Sequence, residues 1–164
     1  MSGFFRNFFT VLAALWRQKQ APGSTVSSWF FITPLDTGLA TLKSDKYLQL
    51  AESAQMDYLI RTGLVRKLLT SGYRFVNAAQ LVKFSKPVRL FSRVRVETAV
   101  AYADTKCAYF VHRFHVGPDK HAEVLVKMKF KKGPVTVPAD ALLGSCSGER
   151  PAWALRWDDT LAAL

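Results

Sequence analysis

The chain has 164 residues, 49% of them hydrophobic and 13% aromatic, which suits one domain with a real core and excludes a disordered chain. Lys and Arg outnumber Asp and Glu by 23 to 12, a formal charge of +11. That predicts attraction to something anionic: nucleic acid, an acidic lipid surface or a phosphorylated ligand. Cys107 and Cys146 have no C-x-x-C spacing and no histidine cluster nearby, so no metal site is expected and a reduced, cytoplasmic chain is the natural reading.

The first segment, "MSGFFRNFFTVLAALWRQKQ", holds an apolar run from Phe8 to Trp16 that is too short to span a bilayer. No small-residue cleavage site follows it, which argues against a secretory signal. Phe4, Phe5, Phe8, Val11, Leu12 and Leu15 recur at helical spacing beside Arg6, Arg17 and Lys19. An amphipathic helix is predicted over 1–22. It either packs on its own domain or a partner subunit, or lies in a membrane interface with its basic groups at headgroup level. "QAPGS" ends it, leaving a domain over 23–145 and a C-terminal tail over 146–164.

"TVSSWFFI" reads as a strand, rich in β-branched and aromatic residues. From Ser44 to Thr62 the period turns helical, with Ser44 or a neighbour as cap and Gly63 as terminator. Tyr47, Leu48, Leu50, Ala51, Ala54, Tyr58 and Leu59 cover more than one stripe, so this helix is expected to be buried on most sides. "VRKLLTSG" adds a short helical turn.

After Gly72 the period changes to two. Four runs, about 73–84, 88–101, 106–116 and 121–131, are separated by "SKP", "ADT" and "GPDK". Val94, Val96, Thr98 and Val100 oppose Arg93, Arg95 and Glu97. Val124, Val126, Met128 and Phe130 oppose Glu123, Lys127, Lys129 and Lys131. One buried and one wet face suits an antiparallel sheet. Short helices are expected near Pro138 and near the C-terminus. One strand, one long buried helix and four antiparallel strands predict an α+β hotdog fold: an antiparallel sheet wrapped around a long central helix, with an extra N-terminal helix. Its two free edges predict a homodimer, or a tetramer built from it, joined edge to edge with the ligand between protomers.

The residues along this order resemble the hotdog acyl-CoA thioesterases of the 4-hydroxybenzoyl-CoA thioesterase type, and within them the branch of thioesterase-superfamily member 6. "YLQLAE" supplies Tyr47, Leu48 and an acidic Glu52 at the family's spacing, and "RTGL" supplies Arg61, Gly63 and Leu64. "FSKPVRLFSRVRVETAV" is similar to the family's strand–Pro–strand segment and "VPADAL" to its closing turn. The likeness runs from about residue 27 to 143. It implies hydrolysis of an acyl-CoA or acyl-carrier thioester without a cofactor, with oxyanion donors at the N-terminus of the central helix.

The departure lies in "ITPLDTGLATLKSDKYLQLAE". The family's catalytic aspartate stands ten residues before the tyrosine, where this chain has Thr37; Asp36 lies one place earlier. The family's His and Asn-Asn positions fall on Thr41, Lys43 and Ser44. Three carboxylates are available as base or nucleophile. Asp36 is favoured by position, with a turn role before Gly38 as the alternative. Asp45 sits in the first helical turn, where it complements the dipole. Glu52 lies two turns into an apolar helix, where burial would raise its pKa and suit it to acid–base work; a solvated, rim-facing glutamate is the alternative. The expected catalytic pair is therefore Asp36 and Glu52, with Thr37, Thr41, Lys43, Ser44, Asp45 and Tyr47 holding substrate.

By alternation His112 belongs to the core or an interface, while His115 and His121 are expected outside. No G-x-S-x-G elbow is present. The outward basic residues Arg93, Arg95, Arg113, Lys127, Lys129 and Lys131 suit a solvated face, or phosphates of coenzyme A or lipid. Tyr109 alone interleaves with them, so nucleic acid is not an expected partner. Two readings stand: a thioesterase with a rewritten loop, or a non-catalytic hotdog protein that binds an acyl ligand or acts at a membrane surface. A cytoplasmic protein, peripheral to the inner membrane surface through residues 1–20, fits either.

Overall fold

The computed structural model describes residues 19–21, 23–143 and 149–164. Most of the helix expected over 1–22, and Cys146, lie outside these residues. Strand β1 (Val26–Phe31) leads to helix α1 (Ser44–Arg61) and the short helix α2 (Leu64–Thr70). Four long strands follow: β2 (Arg74–Phe84), β3 (Arg93–Ala103), β4 (Ala108–Val116) and β5 (Asp119–Lys132). The chain closes with β6 (Val135–Val137), α3 (Ala139–Leu143) and α4 (Ala152–Ala162).

The strands form one antiparallel sheet in the order β1-β3-β4-β5-β2. Short β6 pairs with β5 from Phe130 onward, past the residue where β4 stops pairing. This is the hotdog architecture: the inner face of the sheet packs against α1.

The period-two pattern decides which residues reach that face. Val94 and Val96 of β3, Phe110 and Phe114 of β4, and Val124, Val126, Met128 and Phe130 of β5 are all buried. Opposite them, α1 presents Tyr47, Leu50, Ala51, Ala54, Tyr58 and Leu59. Burying each large side chain is worth roughly 1.5–3 kcal/mol, so this seam dominates the core. Alanines at 51 and 54 bring the helix backbone close to the sheet.

Polar side chains also enter the seam, each with at least one hydrogen bond. Ser28 donates to Asp57 Oδ2 at 2.6 Å, and Arg61 Nη1 lies 3.7 Å from the same oxygen. Asp57 is fully buried. Gln55 donates to Asn77 at 3.3 Å, beside the β-bulge of β2. His112 shares the inner face with Phe110, against whose ring it stacks, and its Nδ1 lies 2.9 Å from Thr98 Oγ1.

Strand β3 starts five residues later than the expected run from 88. Pro87 has no N–H to give a ladder, and Val88 is buried in a loop, its carbonyl accepting from Leu42 N at 2.8 Å. Phe91 then turns the chain with φ of 62°, a left-handed conformation that costs a non-glycine residue about 1–2 kcal/mol.

Helix α4 covers part of the outer face. Ala154 is buried against Cys107 and Tyr109, and Trp153 and Trp157 pack edge-on to the Tyr109 ring. Asp158 accepts hydrogen bonds from Tyr109 Oη, Arg150 and, at 2.6 Å, Lys127. The expectation that Tyr109 stands exposed among the basic residues is thus corrected: it is buried under α4.

Candidate active site

The approach to α1 is a small hairpin pinned against the loop before β3. Thr37 and Leu42 pair across it, Gly38 N–H donates to Thr41 O at 3.0 Å, and Thr41 pairs with Arg89. Leu90 N–H donates to Ala40 O at 2.9 Å. Asp36 sits behind this hairpin, 3% exposed, with Oδ2 accepting from Thr33 N at 3.1 Å and Thr33 Oγ1 at 2.7 Å. Its carbonyl accepts from Lys43 N at 3.1 Å, so the aspartate ties the loop to the start of the helix.

Lys43 is the N-cap, in extended conformation, and no side chain caps the helix. Of the expected caps, Ser44 or a neighbour, the position falls on the neighbour Lys43, and Ser44 is the first helical residue. Lys46 N–H donates to Lys43 O at 3.0 Å, and the first turn carries the positive end of the helix dipole with no capping bond from the Lys43 side chain. A cavity of about 320 Å³ opens beside them, lined by Thr41, Leu42, Ser44, Tyr47 and the segment Phe84–Ser85–Lys86–Pro87. Tyr47 forms its floor, wedged between Phe84 and Phe114 at 5.0 and 5.4 Å between ring centroids. Burial pushes the Tyr47 phenol up, and a hydrogen bond with the Val88 backbone partly offsets this.

Of the expected site residues, Thr41, Ser44 and Tyr47 meet at this cavity. Thr37 is buried within the hairpin, its hydroxyl donating to Pro34 O at 3.3 Å. Lys43 and Asp45 are exposed at the helix start, with Asp45 Oδ2 4.0 Å from Lys46. Glu52 is eight residues past Ser44, about 12 Å along the axis, and is exposed. Within the protomer it is the solvated glutamate of the alternative reading. Among the described residues no carboxylate lines the cavity.

In the sequence Phe84 ends an expected strand and Ser85, Lys86 and Pro87 separate it from the next within the strand–Pro–strand segment; none of the four is an expected site residue. This wall lies at the end of β2 and reaches the helix only because β2 pairs far across the sheet with β5. A second polar cavity, about 430 Å³, lies under α4 beside Cys107, Tyr109, Lys127, Arg150 and Asp158. Burial raises the Cys107 thiol, against the pull of the Lys127 charge. At Asp158 burial pushes upward, but the hydrogen bonds from Lys127 and Tyr109 and the charges of Lys127 and Arg150 outweigh it and hold the carboxyl below its usual range.

Among the described residues no three His, Cys, Asp or Glu side chains gather as a metal site, and no helix is long and apolar enough to cross a membrane.

Solved structures share this fold. A probable thioesterase from Escherichia coli aligns with TM-score 0.67 at 13% identity, covering 73% of this chain and 94% of that one. A 1,4-dihydroxy-2-naphthoyl-CoA thioesterase from Synechocystis aligns with TM-score 0.63 at 13% identity, covering 75% and 95%. A Staphylococcus aureus protein solved in complex with CoA aligns with TM-score 0.67 at 8% identity, covering 79% and 85%. A search of curated protein sequences finds no match. The family model of the thioesterase-like superfamily matches residues 39–142, from the hairpin through α3. The chain belongs to the thioesterase-like superfamily.

Proposed function

We propose that this protein hydrolyses an acyl-CoA or acyl-carrier thioester at the N-terminal end of α1. The observation that carries this reading is the cavity beside an uncapped helix start, walled by the hydroxyls of Thr41 and Ser44 and by Lys86. A thioester carbonyl placed there would direct its developing oxyanion at the first-turn N–H groups, where the dipole favours negative charge. Lys86, paired with Asp119 at 3.0 Å, would exchange that exposed partner for a carrier phosphate. Superfamily membership supports the chemistry, and the CoA-bound relative supports the carrier for that protein. Assignment to the 4-hydroxybenzoyl-CoA type and the member 6 branch rests on Tyr47, Leu48, Glu52, Arg61, Gly63 and Leu64.

Hydrolysis also needs a base. Asp36 and Glu52 remain the proposed pair, Asp36 through a shift of its loop and Glu52 at a site completed by a partner. Edge strand β2 offers the surface for such a partner: Val76, Leu81 and Phe84 are 51%, 48% and 52% exposed, and among the described residues one side of its backbone has no strand beside it. A homodimer joined through β2 would bring a second chain near Glu52. Sedimentation at micromolar concentration should give a dimer, or a tetramer of two; a monomer refutes this part. Residues 1–20 would add a peripheral contact to a membrane facing the cytoplasm.

A second reading is a non-catalytic acyl-binding protein. It is favoured by a cavity wall that holds no carboxylate among the described residues and by the engagement of Asp36 with Thr33. A panel of acyl-CoA thioesters with free-thiol detection separates the two. The enzyme reading expects turnover that Asp36→Asn or Glu52→Gln lowers by orders of magnitude while both variants stay folded. Binding of acyl-CoA without thiol release, or full activity in both variants, supports the second reading or removes the proposed base.

A further inference from the structure

Five large apolar side chains stand in water around the approach to α1. Trp29, Phe31, Leu35, Leu39 and Phe91 are between 45% and 104% exposed. Backbone pairing gathers them into one rim. Phe91 N–H donates to Ile32 O at 3.0 Å, and the rings of Phe31 and Phe91 stack at 6.2 Å. Leu39 is at the tip of the hairpin whose Ala40 carbonyl accepts from Leu90. Trp29 shares the outward face of β1 with Phe31. Single exposed apolar residues are ordinary, but a gathered set marks a contact surface. Phe91 sharpens the point: its backbone is strained, yet its ring is 62% exposed, so burial within the protomer does not offset that strain.

The charges between these side chains are mainly positive. Lys43, Arg89 and Arg93 are exposed, and the Arg93 guanidinium lies 4.3 Å above the Trp29 ring. Of the nearby acids, Asp36 is buried, Glu97 is paired with Arg95 and His115 at 3.3 Å each, and Asp45 lies beside Lys46. A second copy of the chain docking through this rim would set like charges together. Aromatic and aliphatic tips interleaved with Arg and Lys instead match a surface with an apolar interior and negative headgroups.

We propose that this rim docks the protein on an anionic phospholipid bilayer. The inference stands apart from the catalytic reading and from residues 1–20. Its test uses the full chain with Leu39→Ser and Phe91→Asn, singly and together. Asparagine tolerates left-handed backbone, so F91N removes the ring and keeps the turn, and thermal melting should not fall. Co-sedimentation is measured with phosphatidylcholine vesicles with and without phosphatidylserine. The wild type should bind only the phosphatidylserine vesicles, less so at high salt, and the double variant should bind on the order of tenfold more weakly. Wild type that ignores the vesicles, variants that bind as well as wild type, or variants whose self-association changes instead would each overturn the proposal.

Discussion

Replacing His112 with glutamine should remove a pH dependence that the core otherwise builds in. Complete burial lowers the His112 pKa from 6.5 to about 3. Only Nδ1 has a hydrogen-bond partner; buried Nε2 has none. The folded state therefore keeps the ring neutral while the unfolded chain takes up a proton below 6.5. The unfolded state binds more protons in that window, so stability falls as the solution is acidified from 6.5 toward 3. At about pH 5 the loss is about 2 kcal/mol relative to pH 7, from 1.36 kcal/mol per unit over about 1.5 units. For a chain of this length that is about 4–8 °C in melting temperature. His112→Gln keeps a partner for Thr98 and cannot titrate, so its melting temperature should fall less by this amount. Urea or thermal unfolding of both proteins at the two pH values measures the difference. Parallel pH profiles would refute the burial argument.

Asp57→Ala should destabilise by about 3–5 kcal/mol, because it leaves Ser28 and Arg61 facing a vacated buried site; chemical denaturation reads this, and a change under 1 kcal/mol would mean the network is merely superficial. Asp158→Asn should weaken the docking of α4 by about 1–2 kcal/mol, seen as a red shift in tryptophan emission from Trp153 and Trp157 below the global melting point. Deletion of residues 1–20 should lower the melting temperature or weaken the dimer. If the domain instead stays fully stable and loses only its affinity for anionic vesicles, the segment belongs at the bilayer.

The alternation in β3 and β5 was legible in one dimension because a strand exposes every second residue to the same face, whatever it pairs with. The same holds for α1, where the density of apolar residues between Tyr47 and Leu59 could only mean burial on most sides. His112 followed from its neighbours by the same rule. The order of these elements was then enough for the hotdog fold, since few arrangements bury one helix with one curled sheet.

Tertiary structure decided what lies between elements. Glu52 sits on an apolar helix, yet that helix leaves one line of positions to solvent, and only the placement of the sheet shows that Glu52 is on it. Asp57 and Gln55 looked ordinary in sequence; they are buried because Ser28 and Asn77, far along the chain, arrive with matching groups. Tyr109 alternates outward as expected but is covered by a helix about 45 residues later. The cavity is of the same kind: Thr41, Ser44 and Tyr47 are local to the helix start, whereas Phe84 to Pro87 reach it only through the pairing of β2 with β5. Local periodicity reports which way a side chain points; what it meets there depends on chain segments that periodicity cannot see.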